Sequence, residues 1–250
     1  MEPVYRSVIG IARVVFALEG LKFKVVGEEN IPATGGAVIA VNHTGYLDFT
    51  YAGIPPRRVK RYIRFMAKKE VFDNKISGPI MRSLKHIAVD RGAGADSYQA
   101  AVADLRKGEL VGVYPEATIS RSFEIKEFKS GAARMAIEAG VPIIPTVIWG
   151  AQRVWTKGFP KRLGRTNTPI SIAVGKPIEP VGPPSELTEK LHSVMQEMLL
   201  ALQEDYDHEP GAYWVPARLG GSAPTLEQAD KLDAEDLAAR NAAREAKKSK

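Results

Sequence analysis

His43 and Asp48 are the two residues of this chain that type and spacing best equip to move a proton. They lie in Asn42-His43-Thr44-Gly45-Tyr46-Leu47-Asp48, directly after the apolar run Ala37-Val38-Ile39-Ala40-Val41. Such a run reads as a buried strand of a parallel sheet. Open α/β sheets bind ligands at the carboxyl ends of their strands, so His43 stands where chemistry is usually done. Asp48 can fold back across one turn and hold one ring nitrogen, leaving the other free to take a proton from a hydroxyl. No Ser or Cys stands beside the pair, which points to direct attack by a substrate hydroxyl rather than to a covalent enzyme intermediate. The spacing alone is also met by a structural histidine that caps a helix or fills a polar gap, with Asp48 an ordinary first-turn helix residue.

Three further stretches follow or enter apolar runs. Val89-Asp90-Arg91-Gly92 offers an arginine fit to grip phosphate in bidentate fashion, or equally to form a surface ion pair. Tyr114-Pro115-Glu116-Ala117-Thr118 offers a carboxylate and a hydroxyl at a turn, suited to a polyol or to a helix cap. Val141-Pro142-Ile143-Ile144-Pro145 enters an apolar run through two prolines that fix its backbone. The glycines of Arg91-Gly92-Ala93-Gly94 lack a following Lys-Ser/Thr, so this is no P-loop, and no GxSxG elbow of a serine hydrolase exists.

The elements that must position these residues alternate between strand and helix patterns. Strands are expected at 37–41, 64–67, 86–90, 109–114, 143–149 and 169–174. Helices are expected at 77–84, 97–106 (with Ala100, Val102 and Leu105 buried), 131–139 and 185–205. The last carries Leu187, Leu191, Val194, Met198 and Leu202 on its apolar side. This alternation predicts an α/β fold with a mainly parallel, helix-covered sheet. Residues 209–224 are rich in Gly and Pro and read as a linker. Thr225 and Gln228 then form a capping box. The stretch after it runs from acidic to basic, the order that complements a helix dipole, and reads as a solvated charged helix or tail. No internal repeat is visible.

At 250 residues with 44% hydrophobic content, the chain can build one large core. It has no cysteine, which excludes disulfides and thiolate metal sites. A formal charge of +6 calls for an anionic partner: nucleic acid, an acidic membrane or a phosphorylated substrate. No nucleic-acid module is present, and the basic residues are not interleaved with stacking aromatics, so nucleic acid is set aside. Arg6, Arg13, Glu19 and Lys22 interrupt the apolar stretch 4–23, which argues against a membrane span and a signal peptide. Val4, Val8, Ile11, Val15 and Leu18 oppose Arg6 and Arg13 at helical spacing. That pattern suits a helix lying in a membrane interface, and it suits one docked on its own domain equally well.

Taken in order, the stretches resemble the four motifs of the glycerolipid acyltransferase family, whose type member is 1-acyl-glycerol-3-phosphate acyltransferase. NHxxxxD is Asn42-His43 through Asp48; the arginine ending motif two is Arg91; motif three is Tyr114 to Thr118 with Phe128-Lys129-Ser130-Gly131-Ala132; V-P-I-x-P is Val141 to Pro145. Phe65-Met66-Ala67-Lys68-Lys69-Glu70 resembles the family's stretch between motifs one and two.

The resemblance implies acyl transfer from a thioester of coenzyme A or acyl carrier protein to the free hydroxyl of lysophosphatidic acid, giving phosphatidic acid. His43 would be the base and Asp48 its support. Arg91, Glu116, Ala117, Thr118, Lys68 and Pro142 would line the substrate, with Arg91 on the phosphate and Glu116 and Thr118 on the glycerol. No metal and no resident cofactor are implied. The expected organisation is an amphipathic helix over 1–24, an acyltransferase domain over 25–208 and a linker with a charged helix or tail over 209–250. A peripheral or monotopic enzyme at the cytoplasmic face of an anionic membrane is expected. Another lysolipid or glycerol 3-phosphate could be the acceptor, and a lipid-binding module without catalysis is the reading of a different class. Two departures bear on the acceptor: Ala117 replaces the family's glycine, and Ile119-Ser120-Arg121 stands where an arginine usually follows Thr directly.

Overall fold

A computed structural model describes residues 2–90 and 94–248. A seven-stranded sheet forms the centre, in the order β1-β7-β6-β2-β5-β3-β4. Its strands are β1 (Lys22–Val26), β2 (Ala37–Val41), β3 (Ile63–Lys68), β4 (Ile87–Val89), β5 (Leu110–Val113), β6 (Ile143–Trp149) and β7 (Pro169–Val174). All neighbours run parallel except β6 and β7, which pair antiparallel. Strands β2, β5 and β6 are buried at every residue, as strands covered on both faces must be.

Alternate residues of these strands feed two cores. Val38, Ala40, Val111, Val113, Ile143 and Val147 join one with residues of α5 (Gly94–Arg106), α6 (Gly131–Ala139) and α7 (Pro184–Glu204). Ala37, Ile39, Val41, Leu110, Ile144 and Ile148 join the other with α2 (Asp48–Ala52) and Phe16 of α1 (Pro3–Glu19). Between β3 and β4 the chain makes α3 (Lys69–Asp73) and α4 (Ser77–Ser83), and α8 (Leu226–Lys248) closes the chain.

Several expectations are corrected. The N-terminal helix does not reach residue 24: it stops at Glu19, where Gly20 takes the left-handed conformation at φ 70°, and Lys22 already pairs with Pro169 in the sheet. In α7 the buried stripe is Leu187, Leu191, Met195, Leu199 and Gln203, so Val194, Met198 and Leu202 lie on its shoulder. A strict four-residue step follows one ridge of the helix, and the expected stripe mixed two. In α5 Ala101 is buried and Ala100 exposed. The segment 209–224 is no free linker, because Trp214, Val215 and Ala223 are buried in the α5–α7 core. Its apolar area outweighs its glycines and prolines.

Helix α1 has a docked side and an exposed apolar side. One side docks: Tyr5 donates its hydroxyl to the Ile63 carbonyl at 2.9 Å and stacks on Tyr62, while Phe16 meets Phe23 and Tyr51. The buried guanidinium of Arg64 holds Glu2 at 2.7 Å and Glu109 at 3.3 Å, tying the helix start to β3. The other side leaves Val4, Ile11, Val14, Val15 and Leu18 exposed. Between α1 and the segment 49–57, which includes most of α2, lies a cavity of about 350 Å³, lined by residues including Val8, Ala12, Phe16, Phe49, Ile54 and Leu84. No helix among the described residues is long and apolar enough to cross a membrane.

His86 borders the same cavity, and its Nδ1 accepts the backbone N–H of Phe65 at 3.0 Å. That bond needs a lone pair on Nδ1, so the ring must be neutral. Burial, with Arg64 nearby, pushes its pKa down to about 4. A folded pKa below the unfolded one adds stability that is present above the unfolded value near pH 6.5 and lost as pH falls toward 4. The loss can reach about 1.4 kcal/mol per pH unit for one proton. In denaturant unfolding, His86→Gln, which keeps an acceptor without titrating, is expected to flatten the fall in stability between pH 6.5 and 4. An unchanged slope would remove His86 as its source.

Candidate active site

β2 runs out at Val41 and the chain turns through residues 42–47 into α2. Asn42 makes that turn rigid. Its side-chain amide donates to the Ile148 carbonyl at 3.0 Å and accepts the Ile148 N–H at 2.7 Å, so a side chain continues the β2–β6 ladder past the strand end. The carboxylate of Asp48, at the first residue of α2, reaches back into the turn. Its Oδ2 meets the Thr44 N–H at 2.8 Å, the Gly45 N–H at 2.9 Å and His43 Nδ1 at 2.9 Å. An ionised carboxylate only accepts, so Nδ1 carries the proton and Nε2 keeps its lone pair. The Asp48 side chain is fully buried, whereas the His43 side chain keeps 19% of its surface open. The result is an imidazole fixed through one nitrogen, with part of its ring open.

The loop after β5 holds His43 from the other side. Glu116 Oε1 accepts the His43 backbone N–H at 2.8 Å, and the Ser120 N–H donates to the His43 carbonyl at 2.7 Å. Glu116 Oε2 takes the Lys126 N–H at 3.1 Å. Burial raises the Glu116 carboxyl to about 8 against these two donors. The Tyr114 ring lies flat on the His43 imidazole, with centroids 4.0 Å apart. Thr156 donates its hydroxyl to the Thr44 carbonyl at 2.6 Å, and Tyr46 donates its backbone N–H to the Trp155 carbonyl. The Ser120 hydroxyl turns away to the Glu124 carbonyl at 2.7 Å and is no nucleophile here.

The expected site residues divide. His43, Asp48, Glu116, Ala117 and Thr118 lie together at the carboxyl end of the sheet, and Lys68 ends β3 on the same edge. Glu116 is almost fully buried with both oxygens on backbone N–H groups, so it braces two loops instead of facing a glycerol. Pro142 is a correction. Its carbonyl accepts the Val38 N–H at the start of β2, across the sheet from His43, so it fixes strand entry only. Parallel strands advance about 3.3 Å per residue, and five residues separate that level from His43. Arg91 lies outside the described residues. The Asn42 amide clamp, the Ser120 N–H and the Thr156 hydroxyl carried no sequence signal, because each bond joins segments far apart in the chain.

Ala117 is exposed and sits at φ 60°, in the region that suits glycine. The family's glycine is therefore a backbone requirement of this turn, which the Ala117 N–H closes on the Tyr114 carbonyl at 3.0 Å. A non-glycine residue in this conformation costs about 1–2 kcal/mol, part of which glycine returns through a more flexible unfolded chain. Ala117→Gly is expected to raise unfolding stability by about 0.5–1 kcal/mol in denaturant titration at constant slope. A loss of stability would show that the Ala117 methyl makes contacts worth more than the strain.

Comparison with known proteins converges on one family. The family model described as "Acyltransferase" matches residues 22–149, which is β1 through β6 and includes His43, Asp48 and Glu116. A 1-acyl-sn-glycerol-3-phosphate acyltransferase of Bacillus subtilis is 33% identical over 148 residues, covering 59% of this chain and 72% of that one. The corresponding enzyme of Borreliella burgdorferi is 27% identical over 148 residues, covering 57% of each chain. The crystal structure of the 1-acyl-sn-glycerophosphate acyltransferase of Thermotoga maritima superposes with a TM-score of 0.66 at 23% identity, over 81% of both chains, and so shares the fold. Because the family model covers more than half of the chain and a curated relative is 33% identical over most of its own length, this chain belongs to the acyltransferase family.

Proposed function

We propose that the protein transfers an acyl chain from an acyl thioester to the free hydroxyl of 1-acyl-glycerol 3-phosphate, giving phosphatidic acid. The observation that carries this reading is the His43–Asp48 pair, with Nδ1 fixed at 2.9 Å and Nε2 open. The acceptor hydroxyl gives its proton to Nε2 as its oxygen attacks the thioester carbonyl. The tetrahedral intermediate then collapses, the C–S bond breaks, and the leaving thiolate takes the proton from the imidazolium. Asp48 stabilises the imidazolium between these steps. The absence of cysteine and the engagement of the Ser120 hydroxyl favour this direct route. Relatives named for lysophosphatidate acylation support the acceptor. The donor is a thioester of coenzyme A or acyl carrier protein, Arg91 is the basic residue assigned to the acceptor phosphate, and Lys68 lines the substrate.

Both substrates carry long apolar chains. Tyr114 stacks on Phe65 at 6.0 Å and Phe65 meets Phe49 edge-on at 6.3 Å, so aromatic rings lead from His43 to the cavity beneath α1. An acyl chain following them would be sheltered from water. The exposed Val4, Ile11, Val14, Val15 and Leu18 suit contact with a membrane from which such a chain enters. In this reading the enzyme is peripheral, at the cytoplasmic face of an anionic membrane.

Transfer of radiolabelled acyl groups to lysophosphatidate, glycerol 3-phosphate and other lysolipids tests the reaction. His43→Ala is expected to lose about 10²–10⁴-fold in turnover with folding unchanged, and Asp48→Asn to lose less. Near-normal turnover of His43→Ala would end the general-base mechanism, and preference for another acceptor would reassign the substrate. Vesicle co-sedimentation tests the membrane contact. Ile11→Ser with Leu18→Ser should weaken binding to anionic vesicles while leaving the melting temperature nearly unchanged, because exposed substitutions stay within about 0.5 kcal/mol. Unchanged vesicle binding would remove α1 from the contact.

A further inference from the structure

Three basic side chains converge beside the catalytic turn without a carboxylate from the sheet domain to meet them. Each belongs to a stretch that supports the turn. Arg121 follows Ser120, whose N–H holds the His43 carbonyl. Lys126 donates its own backbone N–H to Glu116. Lys157 follows Thr156, which holds the Thr44 carbonyl. Their charged groups meet on one carboxylate of α8. Asp233 Oδ1 lies 2.6 Å from Lys157 Nζ and 3.3 Å from Arg121 Nε, and Asp233 Oδ2 lies 2.7 Å from Lys126 Nζ. Asp236 adds contacts of 2.6 Å to Arg121 and 2.9 Å to Lys157, and Asp230 adds one of 3.2 Å to Lys126. Among the described residues, every ion pair of these three cations is made to α8.

The rest of α8 is poorly held. Through Ala239 its one buried residue is Ala229, and Leu226, Leu232 and Leu237 are exposed. The face turned to the domain is Ala229, Asp233 and Asp236, at one-face helical spacing. Charge therefore docks this helix, with little apolar area to assist. Two oxygens shared among an arginine and two lysines is also how a phosphate group is bound.

We propose that Arg121, Lys126 and Lys157 form a phosphate-binding site, and that α8 of the same chain closes it by placing Asp233 and Asp236 where phosphate oxygens would lie. The choice of phosphate rests on the acyltransferase reading, in which both a lysophosphatidate headgroup and a nucleotide thioester carry it. A phosphorylated ligand and α8 then compete, and what releases α8 tightens the ligand by the same factor.

Hydrogen exchange over residues 226–239 of the full-length chain tests this without turnover, so failure here is distinguishable from failure of the acyl-transfer reading. The probes are short-chain lysophosphatidate, acyl-coenzyme A and inorganic phosphate, each against sodium chloride at equal ionic strength. At least one phosphorylated probe is expected to speed exchange in α8 beyond the salt control. Response to lysophosphatidate alone assigns the acceptor headgroup to this site in place of Arg91, response to acyl-coenzyme A alone assigns the donor, and response to all three assigns phosphate as such. Asp233→Asn with Asp236→Asn should tighten the responding probe about fivefold or more. Lys126→Gln with Lys157→Gln should abolish the phosphate-specific part. If no probe exceeds the salt control, or the double Asn variant frees α8 without tightening any probe, the three cations serve only to fasten the helix and the proposal fails.

Discussion

One carboxylate oxygen organises the turn that carries His43. Asp48 Oδ2 gathers two backbone N–H groups and the imidazole Nδ1 within 2.9 Å, so the same atom shapes the loop and sets the histidine tautomer. Neither task can be removed alone. The bonds are charge-assisted and out of solvent, where they are stronger than neutral ones and where an unmade bond costs most. Around this atom the fold supplies two outer clamps: the Asn42 amide on β6, and the loop after β5 with Glu116 and Ser120 on the His43 backbone. His43 is thereby held by strands β2, β5 and β6, the fully buried centre of the sheet.

Such a site was legible in the sequence to the extent that its contacts are local. The His43–Asp48 bond spans one turn, so spacing reveals it. Strands β2 and β6 were legible because a strand covered on both faces is a continuous apolar run. Strand β1 was hidden because Lys22-Phe23-Lys24-Val25-Val26 is an edge strand with alternating exposure, and it follows directly on an apolar helix. The roles of Glu116 and Pro142 were misread for a related reason. Motif membership says that a residue type is needed, but whether it faces substrate, backbone or the far end of a strand depends on partners distant in the chain. The phosphate arginine, Arg91, stays an expectation from the motif.

Helix α8 makes the same point through charge. Its acidic half looked like dipole compensation, which needs no partner. In the fold those acids meet Arg121, Lys126 and Lys157, and nothing in a sequence says which cations an Asp will find. The Thr225–Gln228 capping box was legible for the opposite reason: both of its bonds close within four residues.

The pairing of β1 with β7 has a consequence for how the protein is made. In the sheet β1 has β7 as its neighbour, and β7 is the last of the described strands in chain order. Loop-closure entropy makes so distant a pairing slow, and translation makes it impossible until β7 has left the ribosome. Until then α1 and β1, which precede the other described strands, lack that partner. During that interval the docking face of α1, with Phe16 and its neighbours, is as bare as the face that stays exposed in the finished fold. A nascent chain would carry both apolar faces at once, so premature association of its N-terminus is the hazard that this topology builds in.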